Sequence, residues 1–245
     1  MSQRRYRMLR AVRADQSGLT LIELLVAVAL LGILLTIISG LYVSALRTVT
    51  LSREVTANSK MASNAMNEST RAIRAATENP ITGTLLNDPA FIVAKPDDIL
   101  FYAYVNVYAD LTTAQQPVMI RLRVDRTTGT YIESRWTGTA ASDGKWVFTS
   151  TPCEAINVPV GCTAPSLRRT LAATMSPTGT GNPPFLYLNA DGVAIANTSS
   201  GLSPANRLLV AFVRVSLSVQ TSLTDASNPT MLESIVGIPN LGFAK

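Results

Sequence analysis

Residues 24–46 form an unbroken run of 23 uncharged, mostly apolar side chains, and no other stretch limits the possible folds so tightly. At a helical rise of ~1.5 Å per residue the run spans roughly 35 Å, enough to cross the ~30 Å hydrocarbon layer of a bilayer. One carboxylate, Glu23, stands at its start. Five arginines (Arg4, Arg5, Arg7, Arg10 and Arg13) precede it, and nothing charged follows until Arg47. A charge at the centre of a spanning helix costs about 2.5–3.5 kcal/mol on insertion scales, so Glu23 calls for a partner or a task. Positively charged flanks stay on the cytoplasmic side, which sends the chain beyond the apolar run outside.

Two ordinary readings of this segment stand beside a more specific one. A secretory signal peptide has an apolar core of about 7–15 residues followed by a small-x-small cleavage site. Val43-Ser44-Ala45 has the form of such a site, but the run before it is of anchor length. A plain signal anchor accounts for the length, not for Glu23 or for the Gly18-Leu19 junction. Behind the basic leader, Gly18, Leu19, Thr20, Leu21, Ile22 and Glu23 resemble the type III signal of type IV pilins and type II secretion pseudopilins, with Leu19 where phenylalanine is commoner.

That resemblance implies a precursor cut between Gly18 and Leu19 by a prepilin peptidase, with N-methylation of the new Leu19 amine. It also implies a role in assembly for Glu23, through an ion pair with its own amine or with that of a neighbouring subunit. The domains then run as a leader at 1–18, a transmembrane and filament-core helix at 19–46, an amphipathic continuation at 47–78, and an exported β-rich domain at 79–245. The expected fold class is α+β, a long N-terminal helix packed on an antiparallel β-sheet domain.

The net charge of +5 hints at nucleic acid, but the leader alone carries five arginines against Asp15. Beyond it 16 basic residues face 15 acidic ones, so the basic balance belongs to the leader and to topology. Cys153 and Cys162 are nine apart in a segment holding Pro152, Pro159 and Gly161. In an exported domain an even, close, loop-bound pair reads as a disulfide.

From Arg47 to Glu78 there is neither glycine nor proline, and Leu51, Val55, Ala62, Met66 and Ile73 recur on one helical face. Asn79-Pro80 ends the pattern, because the residue before proline avoids the helical region. The reading predicts one helix from Leu19 to about Thr77. Gly32 and Gly40 interrupt its apolar half, either as close-packing positions in the bilayer or as points where a filament helix stretches.

Beyond Ile81, strands are expected at Phe91 to Ala94, Ile99 to Tyr108, Val118 to Val124, Thr130 to Trp136, Trp146 to Thr149, Phe185 to Leu188, Val193 to Ala196, Leu208 to Gln220 and Met231 to Ile238. Turns are expected at 125–129 and 189–192, and loops at 110–116, 150–165 and 176–184.

No histidine is present, so serine–histidine and cysteine–histidine nucleophiles are excluded, and no phosphate-binding glycine loop occurs. The sequence calls for no cofactor and no metal; Asp97-Asp98 and Asp191-Gly192 lack the spacing of a calcium loop. Arg121, Arg123 and Arg135, with Tyr131 and Trp136 nearby, are the candidate nucleic-acid contacts, against the plainer reading of a solvated sheet face. The expected function is a non-enzymatic minor pilin or pseudopilin, resembling the J-type or W-type subunits, that takes part in filament initiation or assembly. Its expected partners are other pilin or pseudopilin subunits, the prepilin peptidase, an inner-membrane assembly platform and membrane lipid. A DNA-capturing minor pilin of a competence filament and a membrane-anchored extracytoplasmic hydrolase are the alternatives.

Overall fold

The computed structural model describes residues 20–80, 87–105, 116–141, 143, 145–153, 161–175, 183–220 and 229–240. The chain divides into two compact units, Met1–Arg53 and Glu54–Lys245. A single helix, α1 (Leu21–Arg74), supplies residues to both.

In the first unit every side chain of α1 is exposed. Among the described residues α1 is the one helix long and apolar enough to cross a membrane. Among the described residues, no hydrophobic burial holds this half.

In the second unit α1 packs on antiparallel sheets, the α+β architecture expected from the sequence. Its buried face is Asn58, Ala62, Ala65, Met66, Ser69, Ala72 and Ile73, recurring three and four apart as one stripe of a helix must. Leu51 and Val55 of the expected stripe stay exposed. The packed stripe begins at Asn58 and is mostly alanine and serine, whose small side chains let the helix lie close on its support. The helix ends through Ala75 and Ala76, where Thr77 N–H donates to the Tyr102 carbonyl (2.9 Å) and Tyr104 N–H to that of Ala75 (3.1 Å).

Two short strands follow, β1 (Asn79–Pro80) and β2 (Asn87–Asp88), paired with each other. The main sheet is built from β3 (Phe91–Ala94), β4 (Asp98–Ala103), β5 (Val118–Asp125), β6 (Thr130–Thr137) and, beyond a small hairpin, β9 (Leu167–Ala172), in the order β3-β4-β5-β6-β9. That hairpin is β7 (Thr139–Ala140) with β8 (Trp146–Val147). A second sheet has the order β10-β11-β12, from β10 (Phe185–Leu188), β11 (Phe212–Val219) and β12 (Thr230–Gly237).

The two sheets and the second half of α1 share one core. Phe91, Phe101, Ile120, Leu122 and Tyr131 meet Phe185, Tyr187, Val213, Val215 and Leu217 with Ala65 and Ile73 of the helix. The alternation of β11 sets its inward side: Val213, Val215, Leu217 and Val219 are buried, and Arg214, Ser216 and Ser218 lie on the other face. The outer face of the main sheet carries a second, smaller core of Leu100, Tyr102, Met119 and Trp136, against which Phe148 packs. With both faces covered, β4 is buried at all six positions.

Several expected elements are placed differently. No strand forms at 193–196; Ala194 makes a single bridge to Leu188 after the turn at Gly192. The strand expected from Leu208 starts at Phe212, because Ser203 and Pro204 open a short helix, α2 (Pro204–Arg207), with the Ser203 side chain accepting from Asn206 N–H. Strand β9 falls where no strand was expected, its two arginines masking it. The expected strand to Tyr108 ends at Ala103, and residues 106–110 lie outside the described residues.

Candidate functional site

The chemistry read from the sequence is concentrated at the start of α1. Thr20 precedes the first helical residue, and Glu23 lies in the first turn. Glu23 N–H donates to the Thr20 hydroxyl oxygen (3.3 Å), while the Glu23 carboxylate accepts from both the Thr20 N–H and the Thr20 hydroxyl (3.0 Å each). This is a reciprocal capping box: threonine caps the helix and the glutamate three positions on caps the threonine, so two backbone donors find partners. The spacing Thr-x-x-Glu is visible in the sequence at 20–23 and signals a helix start there as well as a lone charge. Gly18 and Leu19, the expected cleavage and methylation positions, lie outside the described residues.

Cys153 and Cys162 are joined as a disulfide, with Cα atoms 5.8 Å apart. On either side of the bridge Pro152 and Thr163 form a parallel β-bridge, and Cys153 N–H donates to the Thr163 carbonyl (3.1 Å). The Thr163 carbonyl also receives the Trp136 indole N–H (2.9 Å). The residues flanking the disulfide are thus fastened to the outer core of the main sheet.

The three candidate nucleic-acid arginines do not share a surface. Directly paired residues of an antiparallel ladder lie on one face, and faces alternate along each strand. Arg121 pairs with Ser134 and Arg123 with Ile132, whereas Arg135 pairs with Ile120, an inner-core residue. Arg121 and Arg123 therefore lie on the outer face and Arg135 on the face toward α1. The Arg121 guanidinium grips the Asp98 carboxylate through two nitrogens. Arg135 donates to the almost fully buried Glu133 (2.5 Å). Tyr131 and Trp136 are buried as well, which leaves neither ring open for stacking on a base. Asp97 and Asp98 pair with Arg126 and Arg121 respectively.

The sequence reading did not foresee a chain of charges between α1 and the main sheet. Glu68 accepts from Arg71 (2.8 Å) and Arg169, and Arg169 in turn donates to Glu133 (2.7 Å). These hydrogen bonds, that of Arg169 first, hold the Glu68 carboxyl below its ordinary range. Beside them the Ser69 hydroxyl donates to the Ala65 carbonyl (2.6 Å) and lies 2.7 Å from the Tyr131 hydroxyl. A serine hydroxyl has one proton, so Tyr131 is the donor to Ser69. Burial pushes the Tyr131 phenol well above its usual value and keeps that proton in place.

Residues 13–39 match the family model described as the prokaryotic N-terminal methylation motif. The match covers Gly18, Leu19, the capping box and the apolar run as far as residue 39, and it supports a type IV pilin-like prepilin signal at this end of the chain. A search of curated proteins finds no match to the chain.

Proposed function

We propose that the chain is made as a precursor, cut between Gly18 and Leu19 by a prepilin peptidase and methylated at the Leu19 amine. It is then built as a minor structural subunit into a type IV pilus or a type II secretion-like filament. The observation that carries this reading is the coincidence of the methylation motif at 13–39 with a helix whose apolar half is exposed throughout among the described residues. Seventeen large apolar side chains between Leu21 and Leu46 are exposed. Leaving such a side chain in water forgoes about 1.5–3 kcal/mol, so the sum, on the order of 25–50 kcal/mol, outweighs the stability of an ordinary domain, roughly 5–15 kcal/mol. Lipid before assembly, and the apolar helices of other subunits after it, are the surroundings that relieve this cost.

The globular part supports a minor rather than a major subunit. A large, strand-rich domain with a late long strand and the segment 233–240 resembles the J-type pseudopilins and W-type minor pilins, and the disulfide lies mid-domain in place of the C-terminal bracket of major pilins. In this reading the leader stays inside, the β-rich domain faces outward, and the inner-membrane assembly platform lifts the subunit into the filament.

Intact mass of the protein purified from its membrane tests the reading. The expected mass lacks residues 1–18 and carries one added methyl group, with the fragment spectrum placing that group on Leu19. A Gly18→Val variant should keep the leader. A terminus after Ala45, or a wild-type chain with residues 1–18 retained, overturns the proposal.

A further inference from the structure

Four strand edges bound the two larger sheets, and three of them are guarded. On β3 the Arg207 guanidinium donates to the carbonyls of Phe91 and Ile92, and Leu202 N–H takes that of Ala94 (2.9 Å). On β10 the Phe185 N–H donates to Pro96 (3.0 Å), and the Tyr187 carbonyl accepts from Ile195 (2.9 Å). On β9 two adjacent arginines, Arg168 and Arg169, blunt the edge with charge.

The fourth edge, β12, has no side chain or backbone donor of the chain laid across it among the described residues, and its one charge is Glu233. It runs for eight residues in unbroken register with β11, with no proline, lysine or bulge inside it. Its outer-face side chains are Met231 (65 % exposed), Glu233 and Ile235 (58 % exposed). A long, flat edge with exposed apolar residues is a template for another strand. At its far end a cleft of about 390 Å³ opens, lined by Arg74, Ala211, Phe212, Gly237, Ile238 and Pro239. Gly237 keeps it open, because a Cβ there would stand 3.3 Å from the Phe212 ring.

We propose that β12 is a docking edge for an extended segment of a different polypeptide, added as a fourth strand to this sheet. The row of backbone donors and acceptors requires an extended guest. The outer-face order Met231–Glu233–Ile235 selects one that alternates apolar, basic and apolar residues, with Lys or Arg opposite Glu233. Glu233 is held on its own side by the Ser216 hydroxyl (3.2 Å) and more loosely by Arg214 (3.7 Å), and its side chain remains 47 % exposed. A second copy of this chain is the wrong guest: the two-fold registers nearest the centre of β12, about Glu233 or about Ser234, set Glu233 against Glu233 or against the apolar Ile235, and neither gives it a basic partner. An apolar side chain of the guest fills the cleft beyond Gly237. The proposal rests on the filament reading only for its expectation that the guest belongs to a neighbouring subunit.

The test places a photoreactive benzoylphenylalanine at Ile235, or at the exposed Leu209 as a control, in the full chain expressed in its own cells. After irradiation the adducts are sequenced. The expected result is one dominant adduct at 235, to an extended segment of another protein that carries a basic residue in register with Glu233. Glu233→Lys should lower its yield roughly tenfold, the value of one charge-assisted contact, and changing the guest's basic residue to glutamate should restore it. An adduct to a second copy of this chain, a scatter like that at Leu209, no adduct, or a yield indifferent to Glu233→Lys overturns the proposal. The 235 adduct in a subunit that never enters sheared filaments leaves the docking edge standing and removes the filament. Entry into filaments without the adduct does the reverse.

Discussion

Glu23 has two tasks that a single substitution separates. Its carboxylate closes the capping box with Thr20, and in the proposed assembly it also neutralises a Leu19 amine. Glutamine at the third helical position caps nearly as well as glutamate but carries no charge. Glu23→Gln should therefore keep the helix start, accumulate in the membrane and still be cut after Gly18. Like Glu23→Ala it should fail to enter filaments, because a buried amine left without its partner costs roughly 3–5 kcal/mol. The check is the amount of each variant in sheared and membrane fractions. Normal incorporation of Glu23→Gln would reduce Glu23 to a cap, and normal incorporation of Glu23→Ala would leave it with neither role.

At the scale of elements, the contact between α1 and the main sheet makes an asymmetric prediction. Tyr131→Phe removes a donor but leaves Ser69 bonded to the Ala65 carbonyl, so it should cost about 0.5–1.5 kcal/mol. Ser69→Ala strands the buried Tyr131 hydroxyl without its acceptor and should cost about 1–3 kcal/mol, the larger loss in denaturant unfolding of the full chain in micelles. Equal losses would mean that Tyr131 finds another partner.

Elements like these were legible where local chemistry decides the backbone. The turn at 125–129 is one, with Gly129 at φ 64° and the Asp125 carboxylate accepting from Thr127 N–H (2.9 Å). The strand β9 was not, because Leu-Arg-Arg-Thr-Leu-Ala has no apolar alternation. Arg169 lies on the inner face only because Glu68 and Glu133, 101 and 36 residues away, take its charge. No local pattern contains that pairing. The splitting of Arg121 from Arg135, 14 residues apart, depends on the register of the β5–β6 ladder, which neither strand shows alone, while the capping box has a local signal in Thr-x-x-Glu at 20–23.

For the molecule as a whole, stability should depend on acid and on redox state. The Glu68 carboxyl is held below its ordinary value near 4.5 by Arg169 and Arg71. A lowered folded pKa contributes stability that is whole above about pH 4.5 and is lost as pH falls through the lowered value. Melting of the full chain in micelles should therefore weaken below that pH, and Glu68→Gln should flatten the slope. An unchanged slope would assign the acid sensitivity to other carboxylates, such as Asp125, which its turn amides hold low. Reducing Cys153–Cys162 should lower the melting temperature without unfolding the chain at once, because a loop of this length contributes about 2–3 kcal/mol in the chain-entropy model. An unmoved transition would show the bridged segment to be held by its backbone bonds alone.

The exit of α1 carries a mechanical consequence. Within three residues of the helix end, the chain is stitched to β4 and the residue after it by the bridge between Ala76 and Ala103 and by the hydrogen bonds of Thr77 and Tyr104. A load drawn along the helix is taken first by the packed stripe from Asn58 to Ile73, and what passes it falls on these contacts. Behind them stands the widest, doubly covered sheet of the molecule. Tension that passes the helix end is thus delivered to the five-stranded sheet at β4, ahead of the β1–β2 pair that begins at Asn79.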